Sequence, residues 1–208
     1  MKLIKNYFSI LTYIFAITGL VLILIFPKGA LELKINQELT TPGLDIFFKY
    51  VTNLGDGWIL LVIFLMTLFM KYRYSASVLL MSVIQFLLVH INKDIFFKGM
   101  PRPKMFFNNI DLHFVEGVAT HSYNTFPSGH TATAFSIFFL LAITVNKKSW
   151  SVLFFLCAFL VGISRVYLMQ HFIIDIYAGA IIGYLATLVA ILICKKIHQP
   201  FLEKRLRI

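Results

Sequence analysis

Acids and cysteines are scarce in this chain, and each scarcity removes a class of protein. Asp and Glu number 9 among 208 residues, against 19 Lys and Arg, and charged residues of both signs make up only 13 %. An ordinary soluble domain carries about 25 %. With 59 % hydrophobic residues and a mean hydropathy of +0.83, the composition is that of an integral membrane protein. The two cysteines, Cys157 and Cys194, both fall inside apolar runs, which excludes a disulfide framework and gives no sign of thiol chemistry. No cysteine–histidine cluster has metal-site spacing, and no low-complexity tract or internal repeat stands out. The net charge of +10 would suit a nucleic-acid binder, but its distribution along the chain speaks against that.

Apolar runs are what the chain has in abundance. A bilayer crossing needs about 20 mostly apolar residues. Stretches near 8–26, 52–70, 74–92, 128–146, 149–165 and 173–194 meet or approach that length. They predict an all-α bundle of six transmembrane helices, forming one domain over 1–208. The first run is long for a signal peptide, and no small-x-small cleavage site precedes Pro27, so it reads as an uncleaved span. The second is the weakest, being continuously apolar only from Gly57 to Met70. Between these two, Pro42–Gly43 marks a turn, and Leu44–Val51 reads as a short interfacial helix.

Six crossings place both termini on one side. That side, with Lys71–Arg73 and Lys147–Lys148, holds 11 Lys/Arg and a single acid, Glu203. The other side holds 8 Lys/Arg and 8 acids, so the whole excess of +10 lies with the termini. The positive-inside rule makes that side cytoplasmic. The basic balance is therefore a topology signal for a cytoplasmic-membrane protein, and nucleic acid is not an expected partner.

Three polar clusters then share the extracytoplasmic side. In Ser164–Asp175, the residues Arg165, His171 and Asp175 stand between two apolar runs, where ionisable groups are costly. His171 and Asp175 are four apart, one turn on a helix, and such a carboxylate orients an imidazole and stabilises its cation. Taken alone, the stretch is equally an ion pair that fixes helix packing. Pro127–Ser128–Gly129–His130 opens the fourth span, with Ser128 as an N-cap and Gly129 allowing close approach to backbone N–H groups at a helix start. The third cluster is Lys93 with Pro101–Arg102–Pro103. Together they fit phosphoryl transfer through a histidine: His171 attacks phosphorus, Asp175 orients it, and His130 protonates the leaving oxygen. Lys93, Arg102, Arg165 and the Ser128–Gly129 backbone hold the phosphate charge. Cationic side chains can supply that charge, so no metal or other cofactor is expected.

These motifs resemble the type-2 phosphatidic acid phosphatase superfamily, which includes bacterial membrane lipid phosphatases and the vanadium haloperoxidases. Its pattern is a lysine and Arg-Pro, then Pro-Ser-Gly-His, then Ser-Arg, five residues, His, three residues and Asp. Pro127–His130 and Ser164–Asp175 match without a gap, and the resemblance covers roughly Lys93 to Asp175. It implies His171 as the nucleophile of a phosphohistidine intermediate, Asp175 as its partner and His130 as general acid. Lys93, Arg102, Ser128, Gly129 and Arg165 are the implied phosphate ligands. One departure concerns the lysine. The family usually has six residues between it and the arginine, eight lie between Lys93 and Arg102 here, and Lys98 is its rival.

Asp111, His113, Glu116 and His121 read mainly as solvated loop residues, with a lid, headgroup recognition or a metal as alternatives. Met100, Met105 and the phenylalanines at 96, 97, 106 and 107 are expected to dip into the interface. The leading expectation is a metal-independent lipid phosphatase acting on a phosphomonoester or diphosphate presented laterally from the bilayer. Candidate substrates are undecaprenyl diphosphate, phosphatidylglycerol phosphate, phosphatidic acid and lipid A phosphates. A vanadate-dependent haloperoxidase and a non-catalytic transporter or assembly protein are the alternatives.

Overall fold

A central helix wrapped by its neighbours organises this protein, for which the computed structural model describes residues 6–206. The order is α1 (Tyr7–Ile25), α2 (Ala30–Glu38), α3 (Pro42–Val51) with a 3₁₀ turn Thr52–Gly55, α4 (Gly57–Leu68) and α5 (Tyr72–Ile91), which continues into a π-helical turn Asn92–Phe96. The short α6 (Pro103–Phe106), α7 (Gly129–Val145), α8 (Lys148–Tyr167) and α9 (Ile173–Lys196) follow, then a 3₁₀ turn Pro200–Glu203. Strands are absent among the described residues, apart from one isolated bridge between Pro101 and Tyr123.

The helix at the centre is α7. Phe135, Phe139 and Ala142 pack with Phe8 of α1, Phe155 of α8 and Tyr184 of α9 in one cluster, and Phe8 stacks on Phe139 at 5.3 Å between ring centroids. Its opposite side, Ile137 and Leu140, meets Ile63 of α4, Val78 and Met81 of α5, and Ile191 of α9. A polar seam runs through this second contact. Ser136 Oγ donates to Gln85 Oε1 at 2.6 Å, and Thr187 Oγ1 donates to Ser136 O at 3.1 Å, tying α5, α7 and α9 together. Hydrogen bonds of this kind hold helices whose outer faces gain nothing from burial in lipid. The outer faces are indeed apolar: Ile17 is 67 % and Leu24 76 % exposed.

Four helical stretches are long and apolar enough to cross a membrane: Tyr7–Ile25, Tyr72–Phe96, Lys148–Tyr167 and Ile173–Lys196. The predicted second span is not one helix. Pro42–Gly55 and Gly57–Leu68 meet at a 55° bend, and count as a fifth crossing only if joined. The predicted fourth span, α7, has 17 residues and is shorter than those four stretches. The polar stretch after α1 holds two helices, of which only α3 was expected; α2, with its Glu32, Lys34 and Glu38, has no amphipathic run to announce it.

One end of the bundle gathers the basic segments. Glu203 pairs with Lys71 at 2.7 Å and Arg73 at 2.6 Å, Lys148 lies over the Tyr7 ring, and Asn6 donates to Ala142 O. The opposite end gathers α2, α3, the 92–128 segment and the turn between α8 and α9, joined by Ile173 N to Glu32 and Asn36 to His113.

Candidate active site

The turn between α8 and α9 builds the site from its backbone. Helix α8 runs two residues past Arg165, and Met169 takes a left-handed φ of 53° that folds the chain back. Gln170 N and His171 N then both donate to Arg165 O, at 2.9 and 3.1 Å. His171 therefore precedes α9 instead of lying on it. Its approach to Asp175 is achieved by capping: that residue, at the third position of α9, accepts from Phe172 N at 2.8 Å. The same oxygen lies 3.3 Å from His171 Nδ1 and accepts from the Thr125 hydroxyl.

With Nδ1 turned to Asp175, the other ring nitrogen faces the cations. His171 Nε2 stands 3.4 Å from Arg102 Nη1. Arg102 is itself fixed by Tyr123 O, Asn124 O and both oxygens of Gln170, an anchor the sequence did not announce. Arg165 gives Nη1 to Thr52 Oγ1 at 2.7 Å, while its Nε is buried without a partner among the described residues. His171 is 2 % exposed. Burial, and then the charges of Arg102, Arg165 and Lys93, hold its imidazole well below its ordinary pKa of 6.5, so it is neutral at physiological pH.

Lys93 lies half-buried on the π turn that prolongs α5, whereas Lys98 is exposed. A π turn accommodates an extra residue relative to an α turn, which takes up part of the long Lys93–Arg102 interval. The start of α7 closes the site. Ser128 caps that helix, its N donating to Asp175 O at 3.0 Å and its Oγ bonded to Thr131. A Cβ on Gly129 would touch Val89 Cγ1 at 3.8 Å, an ordinary contact, and His130 follows in the first turn. Its Nε2 lies 2.6 Å from Asp56 Oδ1.

The intervening loop is fastened at two places. His113, exposed as a solvated loop residue would be, also pairs with Asp45 Oδ2 at 2.9 Å, and Asp45 Oδ1 accepts from Tyr167, fastening the loop to α3 and α8. Among the described residues no group of three or more His, Cys, Asp or Glu is arranged to hold a metal ion. Phe106 and Phe107, expected at the interface, pack on Phe172, with ring centroids at 5.3 and 6.4 Å. Thr125 and Asp56 were not singled out from the sequence. Thr125 carries no signal of its own, while Asp56–Gly57 is an ordinary turn pair whose position at a helix break is visible only in three dimensions.

An all-helical bundle with long apolar helices, and with a buried histidine, its carboxylate and three cations gathered at one end, defines a multi-pass membrane protein. The model of the PAP2 superfamily matches residues 58–199, and the chain belongs to that superfamily. The matched stretch begins just after Asp56. The crystal structure of Aquifex aeolicus LpxE superposes with a TM-score of 0.69 at 28 % identity, covering 82 % of this chain and 98 % of that one. The transmembrane PAP2-type phosphatidylglycerolphosphate phosphatase of Bacillus subtilis superposes with a TM-score of 0.62 at 25 % identity, covering 92 % and 98 %. A curated relative, the bacitracin transport permease protein BcrC of Bacillus licheniformis, is 45 % identical over 65 residues, a segment spanning 31 % of either chain.

Proposed function

We propose that this protein is a lipid phosphatase of the cytoplasmic membrane that works through a phosphohistidine. The observation that carries the reading is the orientation of His171, with Nδ1 on Asp175 and Nε2 beside Arg102. In the first step Nε2 attacks phosphorus, the bond to the leaving oxygen breaks, and His130 protonates that oxygen. Asp175 accepts the Nδ1–H and stabilises the charge that appears on the ring. Lys93, Arg102 and Arg165, with the N–H groups at the start of α7, hold the equatorial oxygens; a donor of this sort is worth about 10²–10³ in rate. In the second step a water attacks the phosphohistidine and releases phosphate.

The substrate reading rests on access. A mostly apolar groove of about 470 Å³ opens between α4 and α5, lined by Leu60, Val83, Phe86 and Val89, and it ends at Gly129 and His130. A chain lying in it would place its phosphate at the site directly from the bilayer. Phosphatidic acid, phosphatidylglycerol phosphate, undecaprenyl diphosphate and lipid A phosphates all have this form. The topology that accompanies the reading counts the bent 42–68 unit and α7 as crossings, giving six, with cytoplasmic termini and an extracytoplasmic site.

The test is phosphate release from those lipids by purified protein in excess chelator. His171→Ala is expected to abolish release and the trappable phosphoenzyme; activity that survives the substitution overturns the mechanism.

A further inference from the structure

Asp56 takes part in none of these steps, yet the fold delivers it to His130. It is the residue at which the Pro42–Gly55 and Gly57–Leu68 segments bend by 55°, and its Oδ1 lies 2.6 Å from His130 Nε2. The approach is specific to the backbone here. A Cβ on the preceding Gly55 would meet His130 O at 2.7 Å and His130 Cβ at 3.1 Å, so only glycine lets this turn sit against α7. Both side chains are about one-third exposed, at 32 % and 33 %, and a pair of free surface side chains so placed would be worth little. This pair is fixed from the backbone on both sides.

We propose that Asp56 is a positioning residue for His130, accepting its Nε2–H so that Nδ1 is the nitrogen that moves the proton in both half-reactions. The inference rests on the phosphatase reading above. In the first half-reaction Nδ1–H passes its proton to the leaving oxygen as that oxygen takes the electron pair of the broken P–O bond. His130 is left neutral with its remaining proton on Nε2, held by Asp56. In the second, the Nδ1 lone pair takes a proton from water as the water oxygen bonds to phosphorus, and the pair of the broken N–P bond returns to His171 Nε2. The two histidines are thus oriented oppositely: Asp175 holds Nδ1 of the nucleophile, and Asp56 holds Nε2 of the acid.

The titratable and charged groups facing His130 are Arg165 from α8, the neutral His171 from the following turn, Lys93 from the π turn and Arg102 from the loop. Asp56 is the carboxylate in contact with it, and Arg165 also lies within its field. A bound phosphate offsets the cations, so Asp56 and substrate together keep the proton on His130 until the leaving oxygen needs it.

The test compares esters that need general-acid help with one that does not. Asp56→Ala is expected to lower kcat/KM, which reports phosphoenzyme formation alone, by about 10²-fold or more on octyl phosphate and by less than about 10-fold on p-nitrophenyl phosphate, because nitrophenolate departs without a proton. Asp56→Asn, which keeps size and an acceptor oxygen but no charge, is expected to move the alkaline limb of the octyl phosphate profile to lower pH. Equal losses on both esters, or an unmoved limb, overturn the proposal. If Asp56→Ala does not fold, Asp56→Asn carries the same comparison. Independently of turnover, ¹⁵N spectra of His130 in micelles are expected to show the Nε2–H tautomer in the wild type and a tautomer mixture in Asp56→Ala; identical spectra overturn it. Full activity of His171→Ala would instead remove the phosphohistidine reading, whatever Asp56 does.

Discussion

A histidine buried among Arg102, Arg165 and Lys93 stays unprotonated where a free imidazole would begin to charge, and this has a cost in stability as well as a use in catalysis. The folded-state pKa of His171 lies well below 6.5, so the unfolded chain takes up a proton that the native state refuses once the pH drops past that value. Stability therefore falls as pH decreases below about 6.5 until the native pKa is reached, and above that window His171 contributes nothing pH-dependent. Thermal unfolding in detergent at about pH 7.5 and about pH 5.5 should show a drop for the wild type and a smaller drop for His171→Gln. A drop of the same size in both removes His171 as the cause. At this scale the sequence was partly legible. The four-residue interval from His171 to Asp175 told that these two side chains meet. Thr125 and Asp56 were hidden because their partners, Asp175 and His130, lie 50 and 74 positions away along the chain.

Helices α7 and α9 approach each other through glycine, and that approach positions the Ser128–His130 turn over Asp175. A Cβ on Gly183 would clash with Ala132 O, and one on Gly179 would stand 2.5 Å from Ser128 O. Neither clash involves a flexible side chain, so the helices must separate to relieve it. Gly183→Ala is expected to cost about 1–3 kcal/mol, measured as a lowered unfolding temperature, and to reduce phosphate release as the α7 start moves off the site. Gly43→Ala, with open space around its Cβ, is the matched control and should change neither. A variant at 183 with wild-type stability would show that the bundle yields here at no cost. The long apolar helices were legible to within about two residues because hydropathy alone defines them. The bend at Asp56 and the π turn after Ile91 were not, since both sit inside or beside apolar runs and arise from packing against α7 and the site.

Charge partition along the chain foretold which segments share an end of the molecule. Residue 6, the 70–73 turn, the α7–α8 turn and the basic tail meet at one end through the Lys71–Glu203 and Arg73–Glu203 pairs, while Lys93, Arg102, His130 and His171 meet at the other. What the chain alone left open was the groove lined by α4, α5 and the start of α7, which exists only where these helices pack together. The partition also predicts orientation. With the basic end held in the cytoplasm by the positive-inside bias, the 107–126 loop must face outward and the α7–α8 turn inward. Both Asp111 and Lys147 are exposed, so each can report its side. In a background with Cys157 and Cys194 replaced by alanine, a cysteine at 111 should react with a membrane-impermeant maleimide in intact cells. A cysteine at 147 should react only after permeabilisation. The reverse pattern would place the histidines in the cytoplasm and confine the substrates to lipids of the inner leaflet, whereas the expected pattern leaves a phosphatase that draws its lipid from the outer one.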